Sequence, residues 1–574
     1  MDIVVDSLVK KFQADHDLLS LAEDDAFEAF AGYCVLSSFY EEAFQPDTFR
    51  MGGGNDLGID ICGLLVNGVL LRDEVDVRAA TEQARQLDVR IILVQAKTSP
   101  KFEAKVLSDL ADNLAHVVVS KEKLPYPASP DVENLRACLD AVYANIAKFA
   151  GGRPKLHVAY ATTGGQVADL IRRKAVSAEK RLMTTGLFDT VEFRCVTRDD
   201  LRDLYRRATQ AVSVVFEMPK KIALSRMPGV KESLLGVVPA RELVTKVLTD
   251  PAGNIRKALF HENVRDFQGY NAVNGQIRDT VRDDDGHRRF AVLNNGITIV
   301  TRNLRVVGDE VHVRDFQVVN GCQTCHVLFA ERDRLTDDVQ VSLRVVHSED
   351  ENVIAGIIAA TNRQTAVSEE DLSTREDFHL KLEDYFAAQV PERRLYYERR
   401  SKQYAARPDV EKTRVVNRSQ LTRAYAALFL GEPSAAGHYR DLTSRRRDDL
   451  FQPDQLPEAY YTAAAMHYRI EWLLRTRRLL PRLRPVRYHL MAALRWKTLG
   501  VAPLASHPRR AVEQCRRMLD LLWEPGRAEQ AVLKLLPDLN RIIDREQAAG
   551  VPLGEMVRNR RFADAVRAAV LPME

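Results

Sequence analysis

At 574 residues the chain is too long for one hydrophobic core and implies several domains. Its 45% apolar and 28% charged residues exclude a disordered or fibrous chain, and a formal net charge of +3 is too small for bulk charge to announce a nucleic-acid partner. Charge is nonetheless uneven, with acids dominating Asp2 to Asp47 and arginines dominating Tyr461 to Asp520.

The opening Met1-Asp2-Ile3-Val4-Val5-Asp6 lacks the basic and apolar regions of an export leader, and no run of about 18 apolar residues occurs. The expectation is a cytoplasmic protein without a membrane span. Seven cysteines, an odd number, are expected as free thiols. Cys322-Gln323-Thr324-Cys325-His326 matches the attachment motif of c-type haem letter for letter, but without export there is no such chemistry, and it reads as a strand-to-helix junction.

In chain order, Asp24 to Phe39 has helical spacing, and Gly52 to Asp56 forces a turn. Gly58 to Val66 has a strand pattern, and Asn67-Gly68 is a hairpin turn into Val69-Leu70-Leu71. Helices are expected around Val77 to Leu87, Phe102 to Leu114, Val132 to Phe149, Val167 to Leu182 and Arg198 to Arg207. They alternate with strands at Ile91 to Lys97, Val117 to Val119, Lys155 to Tyr160 and Val191 to Val196, an α/β pattern. Val214 to Glu217 opens a mixed region, and from about Asp371 the pattern is helical, with breaks at Pro481, Pro485, Pro503 and Pro508.

Two strand ends carry the residues of a hydrolytic centre. Asp60 lies on one strand, and Gln95 and Lys97 lie two apart on another, so the two-residue period sends both side chains to one face while Ala96 offers its carbonyl. Phosphodiester hydrolysis at neutral pH needs hard oxygen ligands for a metal and a cation beside the attacked phosphate. Asp60, Gln95 and Ala96 are the candidate ligands and Lys97 the cation.

This arrangement resembles the PD-(D/E)XK nuclease superfamily, in the branch with Gln in place of the acid; the matching elements run from about Asp24 to Ala161. The resemblance implies Mg²⁺ or Mn²⁺ as cofactor and makes Glu28, in Phe27-Glu28-Ala29-Phe30, the auxiliary acid of the first helix. Gln is a neutral ligand, so the site carries fewer negative charges than the common pattern.

Four polar islands follow: Phe260 to Phe267, Leu293 to Ile299, Val318 to Thr324 and Ala360 to Thr365. In this order they resemble the abortive-infection phage-resistance (AIPR) family, over about residues 20–400. The resemblance implies anti-phage defence with the nuclease domain as effector. Amides beside glycines at strand ends suit the reading of a base or the holding of phosphate, although their commonest use is to cap turns. Arg265, Asn294, Asn295, Asn320, Gln323, Thr324, Asn362 and Gln364 are the candidate ligand contacts, and Asn295, Asn320 and Gln323 are expected to line one polar site. Arg475, Arg477, Arg478 and Arg482 are candidates for nucleic-acid phosphates, against the plainer reading of a solvated helix face.

The sequence therefore predicts a multi-domain chain: a restriction-endonuclease-like α/β domain over 1–210, a mixed α+β domain over 211–400 and a helical region over 401–574. The function expected is a metal-dependent nuclease of phage defence, cutting DNA ahead of RNA. The alternatives are a nucleic-acid- or nucleotide-binding regulator on a degenerate nuclease fold, and a homo-oligomeric scaffold joined through the C-terminal helices.

Overall fold

The computed structural model describes residues 2–571 except 53, 85, 119–123, 150–151, 211, 251–252, 254, 261–271, 351–352, 355, 358–359, 361–368, 400–402, 406, 408, 436–441, 444, 505–506 and 552. It is multi-domain, with mixed sheets and a helical C-terminal region. The chain divides into two compact units, one formed by 1–208, 381–398 and 407–574, the other by 209–380 and 399–406. The N-terminal α/β region and the C-terminal helices thus belong to one unit.

The first unit is built on a five-stranded sheet ordered β2-β1-β3-β4-β5: β1 (Ile61–Val66), β2 (Val69–Leu71), β3 (Val89–Lys97), β4 (Lys155–Thr162) and β5 (Thr190–Val196). β1 is antiparallel to β2 and β3, and β3, β4 and β5 are parallel. Asn67, with φ of 48°, and Gly68, with φ of 77°, make the hairpin turn between β1 and β2, where two left-handed residues match the strand twist.

Alternate residues of β3 face opposite cores. Ile92, Val94 and Ala96 pack with Phe27, Phe30 and Leu201 of α2 (Glu23–Leu36) and α7 (Arg198–Thr209). Ile91 and Leu93 pack with Leu107, Leu114, Leu135 and Leu182 of α4 (Ala104–Val118), α5 (Pro130–Tyr143) and α6 (Asp169–Met183). A strand buried on both faces explains why β3 reads as an unbroken apolar run. Val117 and Val118, expected as a strand, form the last turn of α4, because their β-branched side chains continue the buried face begun by Leu107, Leu110 and Leu114. The helix α1 (Ile3–Asp15), capped by Asp2 and burying Val5, Val9 and Phe12, was not anticipated.

The C-terminal helices of this unit include Arg418–Phe429, Pro457–Arg475, Arg487–Leu499, Pro508–Leu522 and Arg560–Val570. Pro457 and Pro508 open their helices, where the missing N–H costs nothing. Buried charges join these helices to α3 (Glu74–Gln83) and the segments around it. Arg487 pairs with Asp73 (3.6 Å) and Asp76 (3.3 Å), and Arg484 pairs with Glu471 (2.6 Å) and donates to Thr48 Oγ1 (3.1 Å). Arg475 pairs with Asp17 (2.6 Å).

The second unit carries a six-stranded sheet ordered β6-β10-β9-β11-β8-β7: β6 (Ser213–Glu217), β7 (Lys220–Ala223), β8 (Glu232–Pro239), β9 (Ile297–Val307), β10 (Glu310–Asn320) and β11 (Gln340–His347). Only β9 and β11 pair in parallel. Its core includes Phe216, Leu243, Phe290, Ile299, Val313, Leu328 and Leu343. Among the described residues, no helix is long and apolar enough to cross a membrane.

Candidate functional site

Asp60 directly precedes β1 and opposes Gln95 across the β1–β3 pair, since the register sets Ile61 against Val94. Its backbone is locked on both sides: its N–H donates to Val94 O (2.9 Å) and its carbonyl accepts from Met51 N (2.8 Å). The glycine-rich loop before it is tied down as well. Gly52 N donates to Asp131 Oδ2 (2.8 Å), Gly58 N to Asp56 Oδ1 (2.8 Å) and Asn113 Nδ2 to Leu57 O (2.9 Å). Gly58 has a φ of 80°, and an added Cβ there would lie 2.9 Å from Gln95 Oε1, so both backbone conformation and space demand glycine.

The Asp60 side chain is 3% exposed, and its Oδ2 accepts from Gln95 Nε2 and from Ala96 N, each at 2.6 Å. Gln95, equally buried, therefore spends its amide nitrogen on orienting Asp60 and rests its oxygen against Gly58. Lys97, two residues on, is the exposed end of β3. Thr98 Oγ1 donates to Asp24 Oδ1 (2.7 Å) and fastens that strand end to α2.

Glu28 comes from α2 and is held by Arg50, whose Nη2 lies 3.4 Å from Glu28 Oε2. Arg50 also pairs with Asp25 and with Asp47 (3.4 Å). Burial pushes the Glu28 carboxyl up, while Arg50 pulls it down. Burial, with the like charge of Glu28 behind it, pushes Asp60 up to about 7, against the pull of the Ala96 N–H and Lys97. Glu28, Asp60, Gln95, Ala96 and Lys97 thus lie close together at the ends of β1 and β3. Arg50 was missed, because nothing in the spacing links it to a carboxylate 22 residues away in another element.

Among the described residues, no group of three or more His, Cys, Asp or Glu side chains is placed to hold a metal. The oxygen donors available to a cation are the Asp60 and Glu28 carboxylates, the Gln95 amide oxygen and the Ala96 carbonyl. That set suits a hard divalent ion, and a carboxyl raised toward neutrality by burial and a like charge is one that a cation would stabilise in its ionised form.

In the second unit, two Asn-Gly pairs come together where β9 begins and β10 ends. Asn294 Oδ1 accepts from Gly296 N and Thr324 Oγ1, both at 3.2 Å, and Asn320 Oδ1 accepts from Gly321 N (2.7 Å). Gly321, with φ of 86°, precedes the helix Cys322–Ala330, and a Cβ on it would lie 2.8 Å from Gly296 O. Asn294 and Asn320 therefore cap turns. Asn295 is exposed, and Gln323 Oε1 is buried without a hydrogen-bond partner. Cys322 and Cys325, both buried free thiols, belong to that helix, so the C-x-x-C-H string is a strand-to-helix junction. Arg265, Asn362 and Gln364 lie outside the described residues.

Residues 260–494 match the family model described as AIPR protein. No curated protein and no solved structure matches the chain. The AIPR match takes in the two Asn-Gly pairs and the helices Arg418–Phe429 and Pro457–Arg475, and it leaves out the Asp60 site.

The four C-terminal arginines are not equivalent. The Arg475 side chain is 7% exposed and paired with Asp17, so it is a packing residue. Arg478 pairs with Glu529 and lies over the Trp472 ring (4.8 Å). Arg477 and Arg482 are exposed, and Arg477 Nη2 would lie 3.4 Å from a Cβ added to Gly52, beside the loop that leads to Asp60.

Proposed function

We propose that the first unit is a metal-dependent phosphodiesterase that cuts nucleic acid, DNA ahead of RNA, in anti-phage defence. The observation that carries this reading is the meeting of a buried, raised carboxyl, an exposed strand-end lysine and a second acid at one rigid sheet edge. The defence role rests on the AIPR match, whose name stands for abortive infection and phage resistance.

Asp60 and the Ala96 carbonyl would hold a Mg²⁺ or Mn²⁺ ion, with Gln95 turning its amide oxygen toward it; bound there, the ion would draw charge from the phosphate and acidify a water. The chain's own residues do the rest. The Ala96 N–H fixes the Asp60 carboxylate before substrate arrives and holds it in place when the Gln95 amide turns and gives up its own bond to Asp60. Lys97 places a positive charge where negative charge grows on the phosphate. Glu28, restrained by Arg50, is a proton acceptor for the water that attacks.

The test is cleavage of supercoiled plasmid and of single-stranded RNA by the purified full-length protein, with Mg²⁺ and with EDTA. Cleavage that needs Mg²⁺ and falls by about 100-fold or more in Lys97→Ala supports the reading. A second reading, a binding regulator on a degenerate nuclease fold, is favoured by the neutral Gln95 and by the lack, among the described residues, of three or more His, Cys, Asp or Glu side chains grouped to hold a metal. Retained nucleic-acid binding with no cleavage in either metal would establish it.

A further inference from the structure

A cavity of about 540 Å³ opens among the C-terminal helices of the first unit, away from Asp60. Its lining includes Arg445, Arg446, Arg495, Arg558, Arg560 and Arg567, and Glu432 is the one acid among the lining residues. Glu432 is already engaged by Arg445 (3.2 Å) and Arg446, Glu82 by Arg558 (3.0 Å) and Asp564 by Arg567 (2.9 Å).

Two guanidinium groups stand apart from this pairing. Arg495 is 2% exposed; its two terminal nitrogens donate to the carbonyls of Gly500 and Ala502, its Nε has no partner, and no carboxylate among the described residues pairs with it. A buried cation without a counter-charge is costly, and an entering anion would offset that cost. Arg560 is exposed and makes no ion pair among the described residues. Trp496 and Phe429, 5% and 8% exposed, give the same cavity apolar aromatic wall.

We propose that this cavity binds a free nucleotide, with the arginines taking its phosphates and Trp496 or Phe429 its base. Its volume falls in the range of small-ligand sites and matches a single nucleotide better than a strand, which needs a groove that tracks a backbone. Planar, five-donor guanidinium groups are suited to phosphate oxygens, and an aromatic face to a base. The inference is independent of the Asp60 reading and stands even if Asp60→Ala changes nothing.

The experiment is isothermal titration calorimetry of the full-length protein with ATP, with pyrophosphate and with a short single-stranded DNA. ATP is expected to bind, pyrophosphate to bind roughly tenfold more weakly, and the double variant Arg560→Glu/Arg567→Glu to lose roughly tenfold in ATP affinity. Both substituted positions are at least partly exposed, so the melting temperature should not move. Trp496→Phe should keep most of the binding, because a ring is retained. No heat with ATP up to about 1 mM, or unchanged affinity in the double variant, overturns the proposal. Pyrophosphate binding as tightly as ATP overturns the part played by the base. DNA binding that exceeds ATP binding and vanishes in the same variant overturns it in favour of a strand-binding surface.

Discussion

Asp60 is the residue whose environment says most about its use. Its carboxyl sits at about 7 in the folded protein and near 4 in an unfolded chain, so without metal its ionisation works against folding. Below about pH 4 both states are protonated and there is no penalty. The penalty grows as pH rises from about 4 to 7 and is constant above, on the order of 4 kcal/mol at most. Asp60→Asn, which keeps an acceptor for the Ala96 N–H, should therefore melt at a higher temperature than the unmutated protein at pH 8 in EDTA, with a smaller advantage at pH 5. An equal or lower melting temperature at pH 8 would show that the carboxyl is not strained there. Mg²⁺ should reverse the order by stabilising only the unmutated protein.

Arg50 is the second residue with a specific consequence. Arg50→Met leaves Glu28 half-buried without its counter-charge, which pushes its carboxyl further up. Cleavage is expected to fall roughly 10- to 100-fold, as for other groups that hold a catalytic residue in place, with partial recovery in Arg50→Lys. Full activity in Arg50→Met would show that Glu28 needs no positioning.

At the scale of elements, the pattern of β3 is legible because its period is two and both faces are buried, so Gln95 and Lys97 fall on the same side without any knowledge of their neighbours. Three-residue runs are less legible. Val117 and Val118 have the composition of a strand, yet they extend a helix whose apolar face was already set three turns earlier. Arg475 and Arg477 differ by two positions in one arginine-rich run and have opposite fates. The helix Pro457–Arg475 ends between them, and Arg477 turns out with a φ of 58°. Where a helix stops decides which arginine reaches solvent, and sequence reasoning places such ends least well.

The Glu471 cluster yields a prediction at this scale. Burial pushes its carboxyl up, but Arg484, His467 and Arg487 outweigh that and hold it at about 2. Its contribution to stability is present above the unfolded value near 4 and is lost as pH falls from about 4 to 2. Glu471→Gln should flatten that part of the acid unfolding curve, and Glu471→Ala should cost about 3 kcal/mol in urea denaturation at pH 7, because it strands the buried Arg484 guanidinium, while Arg487 keeps Asp73 and Asp76. A loss below about 1 kcal/mol would mean that the cluster is solvated.

For the whole molecule, the match to the AIPR family covers helices of the first unit and much of the second, and the candidate nuclease site precedes it in the chain. If the first unit grips nucleic acid near Asp60, Arg477 and Arg482 are the exposed charges that would contribute. Charge reversal at both should weaken binding of all sequences alike and make its salt dependence shallower, without lowering the melting temperature. Arg475→Glu should instead lower the melting temperature, since it sets a carboxylate against Asp17. Identical effects from Arg475 and Arg477 would contradict this division.

The first unit is assembled from residues 1–208 and the later stretches 381–398 and 407–574, with residues 209–380 made between the first and the rest. When a ribosome has finished Ala208, the sheet and Asp60 already exist, but Asp17, Asp73 and Asp76 face water without their arginines. About 270 to 280 residues separate that moment from Arg475 and Arg487, roughly 13 to 56 s at about 5 to 20 residues per second. During that interval the nascent domain presents uncompensated acid to any polyanion, and the Gly52 loop lacks its neighbouring Arg477. On the proposed nuclease reading, that acid would hold nucleic acid away from the nascent chain until the C-terminal arginines are made.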